Sequence, residues 1–170
     1  MVDTEDVMQA KQDVEAIEPY TGRCLCGQVR YVARGAPVFA FNCHCRDCQR
    51  STGCGYAPIL FFARADVQVS GPLAYHAIPG GSGHTIARGF CSGCGAQVVG
   101  DAGLAPALIS VRAGTLDDPG RYQPKANVFA AQAASWDAMD PQLPRFDRWP
   151  PGYGAAAAGG PPAGTRAGRG

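Results

Sequence analysis

Three tight groups of cysteines constrain this chain more than any other feature. They are Cys24-Leu25-Cys26, Cys43-His44-Cys45-Arg46-Asp47-Cys48 and Cys91-Ser92-Gly93-Cys94. A tetrahedral zinc with Zn–S bonds of about 2.3 Å puts its sulfurs about 3.8 Å apart. Two cysteines separated by one or two residues reach that distance when the chain turns tightly. Glycine eases such a turn because it tolerates positive φ, and Gly27, Gly93 and Gly95 stand where the turns fall. One CxxC is a weak signal; three close-set groups in one chain are a strong one. The sequence therefore predicts two Zn²⁺ per chain, held by seven of its eight cysteines.

Spacing permits two divisions of these thiols. In the favoured one, Cys24 and Cys26 join Cys91 and Cys94 in a closed four-sulfur structural site. Cys43, Cys45 and Cys48 then form a second site whose fourth position is open, the property that separates catalytic from structural zinc. The rival joins Cys45 and Cys48 with Cys91 and Cys94 as a zinc ribbon and strands Cys24, Cys26 and Cys43. His44 is expected to point away from its cysteine neighbours if the segment is extended, although it could itself bind metal. Cys54 is read as a small buried hydrophobe, with closure of the second site as the alternative.

The rest of the chain sets the frame. A length of 170 residues suits one domain with a core of its own. A net charge of +1 and a pI of about 7.6 carry no nucleic-acid signature. The apolar run Tyr56 to Phe62 is far shorter than the roughly 20 residues of a membrane span. The first residues, MVDTEDVMQAKQDVEAIEPY, are acidic and polar and do not read as a secretory signal. A reducing cytoplasm is the expected location, where such cysteines serve metal binding or catalysis rather than disulfides.

Residues 1–20 read as a polar arm and residues 150–170, rich in Gly, Ala and Pro, as a disordered tail. Between them, residues 21–149 form the expected domain, mainly β, a zinc-stabilised set of short antiparallel strands. The predicted strands are Gln28–Arg34, Val38–Asn42, Ala57–Phe62, Val67–Ser70, Leu73–Ala77, Thr85–Phe90, Ala107–Val111 and Asn127–Phe129. One helical turn is predicted over Arg46–Thr52.

The segments Gly22-Arg23-Cys24-Leu25-Cys26-Gly27-Gln28-Val29-Arg30-Tyr31, Cys43-His44-Cys45-Arg46-Asp47-Cys48-Gln49-Arg50 and Phe90-Cys91-Ser92-Gly93-Cys94-Gly95 resemble the GFA family, the glutathione-dependent formaldehyde-activating enzymes, also called the CENP-V/GFA domain. The resemblance runs from about Tyr20 to Trp149. It implies a β-rich fold shared with a small zinc-binding Rab exchange factor. It also implies a structural zinc on Cys24, Cys26, Cys91 and Cys94 and a functional zinc on Cys43, Cys45 and Cys48. The implied activity is that of a carbon–sulfur lyase, adding glutathione to formaldehyde to give S-hydroxymethylglutathione.

Glutathione carries two carboxylates, which Arg46, Arg50, Arg64, Arg88 or Lys125 could receive. Arg46 and Arg50 flank the second site and are the favoured pair; each of the five otherwise reads as a solvated surface residue. His76 and His84 read as structural or surface residues, and Asp47 as a solvated or capping one. A fold hosts more than one role, so a non-catalytic zinc module that binds a thiol or a protein partner stands as the alternative. An open second zinc favours the enzyme; closure by Cys54 or His44 favours the module.

Overall fold

The run Ala57–Ala63, APILFFA, is apolar without alternation, as expected of a strand buried on both faces. The computed structural model, which describes residues 17–80, 84–103 and 105–151, sets this run at the centre of the fold. The strands in chain order are β1 (Tyr20–Arg23), β2 (Arg30–Ala33), β3 (Phe39–Cys43), β4 (Ala57–Ala63), β5 (Val67–Ser70), β6 (Leu73–Pro79), β7 (Thr85–Cys91), β8 (Gln97–Ala102), β9 (Leu108–Arg112), β10 (Asn127–Val128) and β11 (Arg145–Phe146). Among the described residues there is one α-helix, α1 (Arg46–Thr52).

Eight strands form a sheet in the order β11-β10-β3-β4-β9-β8-β7-β6, and β1-β2-β5 form a second. The pairings are antiparallel except at β10, which runs parallel to both β3 and β11. Side chains alternate across a strand, so β4 feeds two cores. Leu60 and Phe62 pack with Tyr31 and Ala33 of β2 and with Val99 and Val111. Ile59 and Phe61 pack on the other side with Phe41, Leu108 and Val128, and with Cys43 and Cys48. The second group of cysteines is thus built into an apolar core.

The mainly β class agrees with the sequence reading, and α1 has the bounds expected of the helical turn. Three strands were not anticipated. β1 carries a glycine and an arginine and looks like a turn. Yet its glycine is what the packing demands, since a Cβ on Gly22 would lie 2.3 Å from the Tyr31 ring. β8 has two adjacent valines between Gln97 and Gly100, and β11 is two residues long. The strand expected to start at Gln28 starts at Arg30, because Cys24 N–H bonds Val29 C=O at 3.0 Å and keeps the intervening residues in a turn. The expected arm at 1–20 and tail at 150–170 lie, apart from residues 17–20, 150 and 151, outside the described residues. No helix among the described residues is long and apolar enough to cross a membrane.

Candidate metal centres and the adjoining pocket

Two turns of like design bring four sulfurs together. In one, Gly27 N–H bonds the Cys24 carbonyl at 3.0 Å; in the other, Gly95 N–H bonds the Cys91 carbonyl at 2.8 Å. Gly27 and Gly95 hold φ of 76° and 75°, a conformation that costs glycine little. Gly93, expected to serve the same purpose, has no positive φ; a Cβ there would instead meet Gln28 Oε1 at 2.6 Å. Cys26 Sγ lies 3.5 Å from Cys24 Sγ and 3.7 Å from Cys91 Sγ. With Cys94, the four sulfurs fall within 4.8 Å of one another. These spacings fit the tetrahedral edge of about 3.8 Å, and four thiolates would close a site of structural type.

Cys43, Cys45 and Cys48 form the second group, again within 4.8 Å, and no fourth His, Cys, Asp or Glu joins them among the described residues. Cys43 ends β3, while Cys45 caps α1, its sulfur accepting from Cys48 N–H at 3.3 Å. The Cys45 thiol is pulled well below the usual thiol range, chiefly by hydrogen bonds from Cys43 and Cys48. Cys43 is pushed well above it by Cys45 and Cys48, with burial adding to the effect. Three crowded sulfurs that stabilise one another's thiolate only by sharing protons suit a cation at their centre.

His44 is fully buried between two of these cysteines, and its ring turns away from them. Nδ1 lies 2.6 Å from Asp137 Oδ2, and Nε2 lies 3.1 Å from Asn127 Oδ1. Both ring nitrogens face oxygen acceptors, so neither is left for a metal. Asn42 Nδ2 donates to the same Asn127 oxygen, and Tyr122 O–H donates to Asn42 Oδ1. Gln49 ties the start of α1 down, donating to the His44 and Gln132 carbonyls at 2.6 and 2.9 Å.

The three sulfurs open onto a cavity of about 230 Å³. Its walls include Phe41, Ile59, Phe61, Ile86, Phe129 and Trp149. Trp149 meets Phe41 and Phe129 edge-on, with ring centroids 5.3 and 5.1 Å away. Phe129 holds a φ of 57°, a strained conformation for a bulky residue and of a kind that gathers at functional sites. Two arginines also face the cavity: Arg88 from β7 and Arg112 from β9. Each is at least nine-tenths buried, at 7% and 8% exposure. Burial pulls the Arg112 guanidinium below its ordinary range; the Cys48 thiol opposes this and Arg88 reinforces it.

The remaining expected residues are scattered. Arg46 is exposed, lines the cavity mouth and bonds Gln49 through its side chain. Arg50 is exposed and lines an adjoining groove instead, with Asp47 and His76. Arg64 pairs with Asp101 and bonds the Pro106 and Leu108 carbonyls, a bracing role. Lys125, His76 and His84 are exposed. Two expectations are corrected. Arg88 is buried rather than solvated, because on β7 it faces inward opposite Gly100, which has no side chain to fill the space. Cys54 is exposed rather than buried, because Gly53 ends α1 in a left-handed turn and Cys54 follows it into an open loop.

Arg112, Asp137 and Asn127 escaped the sequence reading. The only available signal was an arginine closing an otherwise apolar strand, Leu-Ile-Ser-Val-Arg. Comparison with known proteins agrees with the cysteine pattern. The family profile described as "Glutathione-dependent formaldehyde-activating enzyme" matches residues 19–132. No curated protein matches the chain. Among solved structures, a crystal structure of a Rhodobacter sphaeroides protein is similar, with 17% identity and a TM-score of 0.47 over 74% of this chain and 98% of that one.

Proposed function

This chain belongs to the family of glutathione-dependent formaldehyde-activating enzymes, and from that premise we propose that it joins glutathione, or a related thiol, to formaldehyde as a zinc-dependent carbon–sulfur lyase-type enzyme. Cys43, Cys45 and Cys48 would hold the functional zinc, and Cys24, Cys26, Cys91 and Cys94 the structural one. The observation that carries the reading is the three-sulfur group facing a cavity with no fourth protein ligand among the described residues. His44, bound to Asp137 and Asn127, and Cys54, out in a loop, leave that position open. A closed site would have favoured the binding-module alternative.

In the reaction, the thiol sulfur bonds to the formaldehyde carbon, the carbonyl π pair moves to oxygen, and the thiol proton ends on that oxygen. Zinc bound at the three cysteines supplies Lewis acidity and favours the thiolate, the nucleophilic form. The apolar walls limit water around the reacting atoms and bring thiol and aldehyde together, which lowers the entropic part of the barrier. Arg46 at the mouth and Arg50 in the adjoining groove are proposed contacts for the charged ends of glutathione. The thiol adds to formaldehyde unaided, so the test is kinetic. Exchange spectroscopy should show faster approach to equilibrium with the wild type than with Cys45→Ser or with no protein. Three equal rates would end the catalytic reading and leave the binding module.

A further inference from the structure

The least explained groups in the molecule are the two buried guanidiniums. Nε and Nη1 of both Arg88 and Arg112 are buried with no hydrogen-bond partner among the described residues. A buried donor left unmade costs its full desolvation, and a buried charge is normally paired. Among the described residues, no ion pair joins either arginine to a carboxylate. The cavity's Asp101 is taken by Arg64. Arg112 has a partial account, since it interacts favourably with the thiols of Cys48, Cys43 and Cys45 and would balance the negative charge that three thiolates leave on Zn²⁺. It also donates to Gln97 Oε1 at 3.3 Å through Nη2. Among the described residues, Arg88 has no such account.

The register explains why the two face one space. Arg88 on β7 pairs with Gly100 on β8, and Gly100 pairs with Ser110 on β9, two residues before Arg112 on the same face. A Cβ at Gly100 would come within 2.9 Å of Ser110 Oγ, so the missing side chain keeps the gap between the arginines open. Ser110 donates to the Gly100 carbonyl and does not fill the gap. Around this charged floor the walls are the aromatic and aliphatic rings already named.

We infer that Arg88 and Arg112 form a subsite for a carboxylate whose attached body is apolar, seated in the cavity beside Cys43, Cys45 and Cys48. The forked guanidiniums match a carboxylate's geometry, and the aryl or alkyl body replaces water against Phe41, Phe61 and Trp149. The inference rests on the proposed reaction site and narrows its substrate. Of the thiols that reading allows, the subsite favours one with an acid group on a short apolar frame over glutathione itself.

The probes are benzoate, benzamide as its uncharged counterpart, and acetate as the charge without the body. Each is titrated calorimetrically into the zinc-loaded full chain with neither thiol nor aldehyde present. Benzoate should bind at least tenfold more tightly than benzamide or acetate. Arg88→Met should lose that margin for benzoate and leave benzamide unchanged. Benzoate binding no better than benzamide to the wild type would overturn the inference, whether or not the variant folds. Acetate equal to benzoate would overturn the apolar body, and unaltered benzoate affinity in Arg88→Met would overturn the role of Arg88. Turnover without benzoate binding sinks this subsite alone; benzoate binding without turnover sinks the proposed reaction alone.

Discussion

His44 Nδ1 and Asp137 Oδ2 stand 2.6 Å apart with side chains 1% and 6% exposed, linking the segment between two site cysteines to a loop 93 residues away. The pair holds Cys43 and Cys45 from behind, on the side away from the cavity. Asp137→Ala leaves a buried ring nitrogen without its hydrogen-bond partner, and an unsatisfied buried polar group costs about 1–3 kcal/mol. Denaturant unfolding should show that loss. Chelator titration should also strip zinc from the three-cysteine group earlier than in the wild type. Unchanged stability would mean that the pair does not hold the segment.

The two cysteine groups should differ in what they do for the fold. Cys94→Ser removes a sulfur from the group that joins the β1–β2 turn to the β7–β8 turn. Structural zinc contributes directly to folding, so its melting temperature should fall well below that of Cys45→Ser. The latter should lose one zinc and keep most of the fold. Elemental analysis with thermal melts checks both; the reverse order of stability would refute the assignment of roles.

Cys54 is exposed and stands outside both cysteine groups. Iodoacetamide added to the zinc-loaded chain should modify this thiol first, as peptide mass mapping would show. Cys54→Ser should leave the zinc content unchanged. A drop in zinc would mean that Cys54 reaches the second site after all.

Burial pushes the Tyr31 hydroxyl up to about 12, the charge of Asp117 adds to this, and the hydrogen bond with Thr115 opposes it. An unfolded tyrosine ionises near pH 10. Below that pH both states hold the proton and the contribution is complete. Between about 10 and 12 only the unfolded chain releases it, so stability falls as pH rises, by on the order of 2–3 kcal/mol. Melts across this window should steepen for the wild type and flatten for Tyr31→Phe. Equal slopes would rule out Tyr31 as the source.

Much of the fold was legible because β4, β9 and the strands from β5 to β7 carry their apolar and β-branched residues in local runs. β1 and β11 were not, since they owe their existence to partners such as β2 and β10 rather than to their own residues. The same limit holds at the site. The positions of the cysteines determined by themselves which thiols could turn onto a common ion, and narrowed their grouping to two divisions. Tertiary structure made the choice, by setting the β1–β2 turn against the β7–β8 turn and leaving Cys43, Cys45 and Cys48 on the opposite face of β4. Only the tertiary structure decided that Arg88 and Arg112 are buried and line one cavity, that Asp137 meets His44, and that Cys54 is exposed. The physical reason is that spacing along the chain governs contacts within a turn, whereas burial of a charge depends on which distant strands pair. A charged residue on a strand looks the same in sequence whether it meets solvent or an empty space left by a glycine such as Gly100.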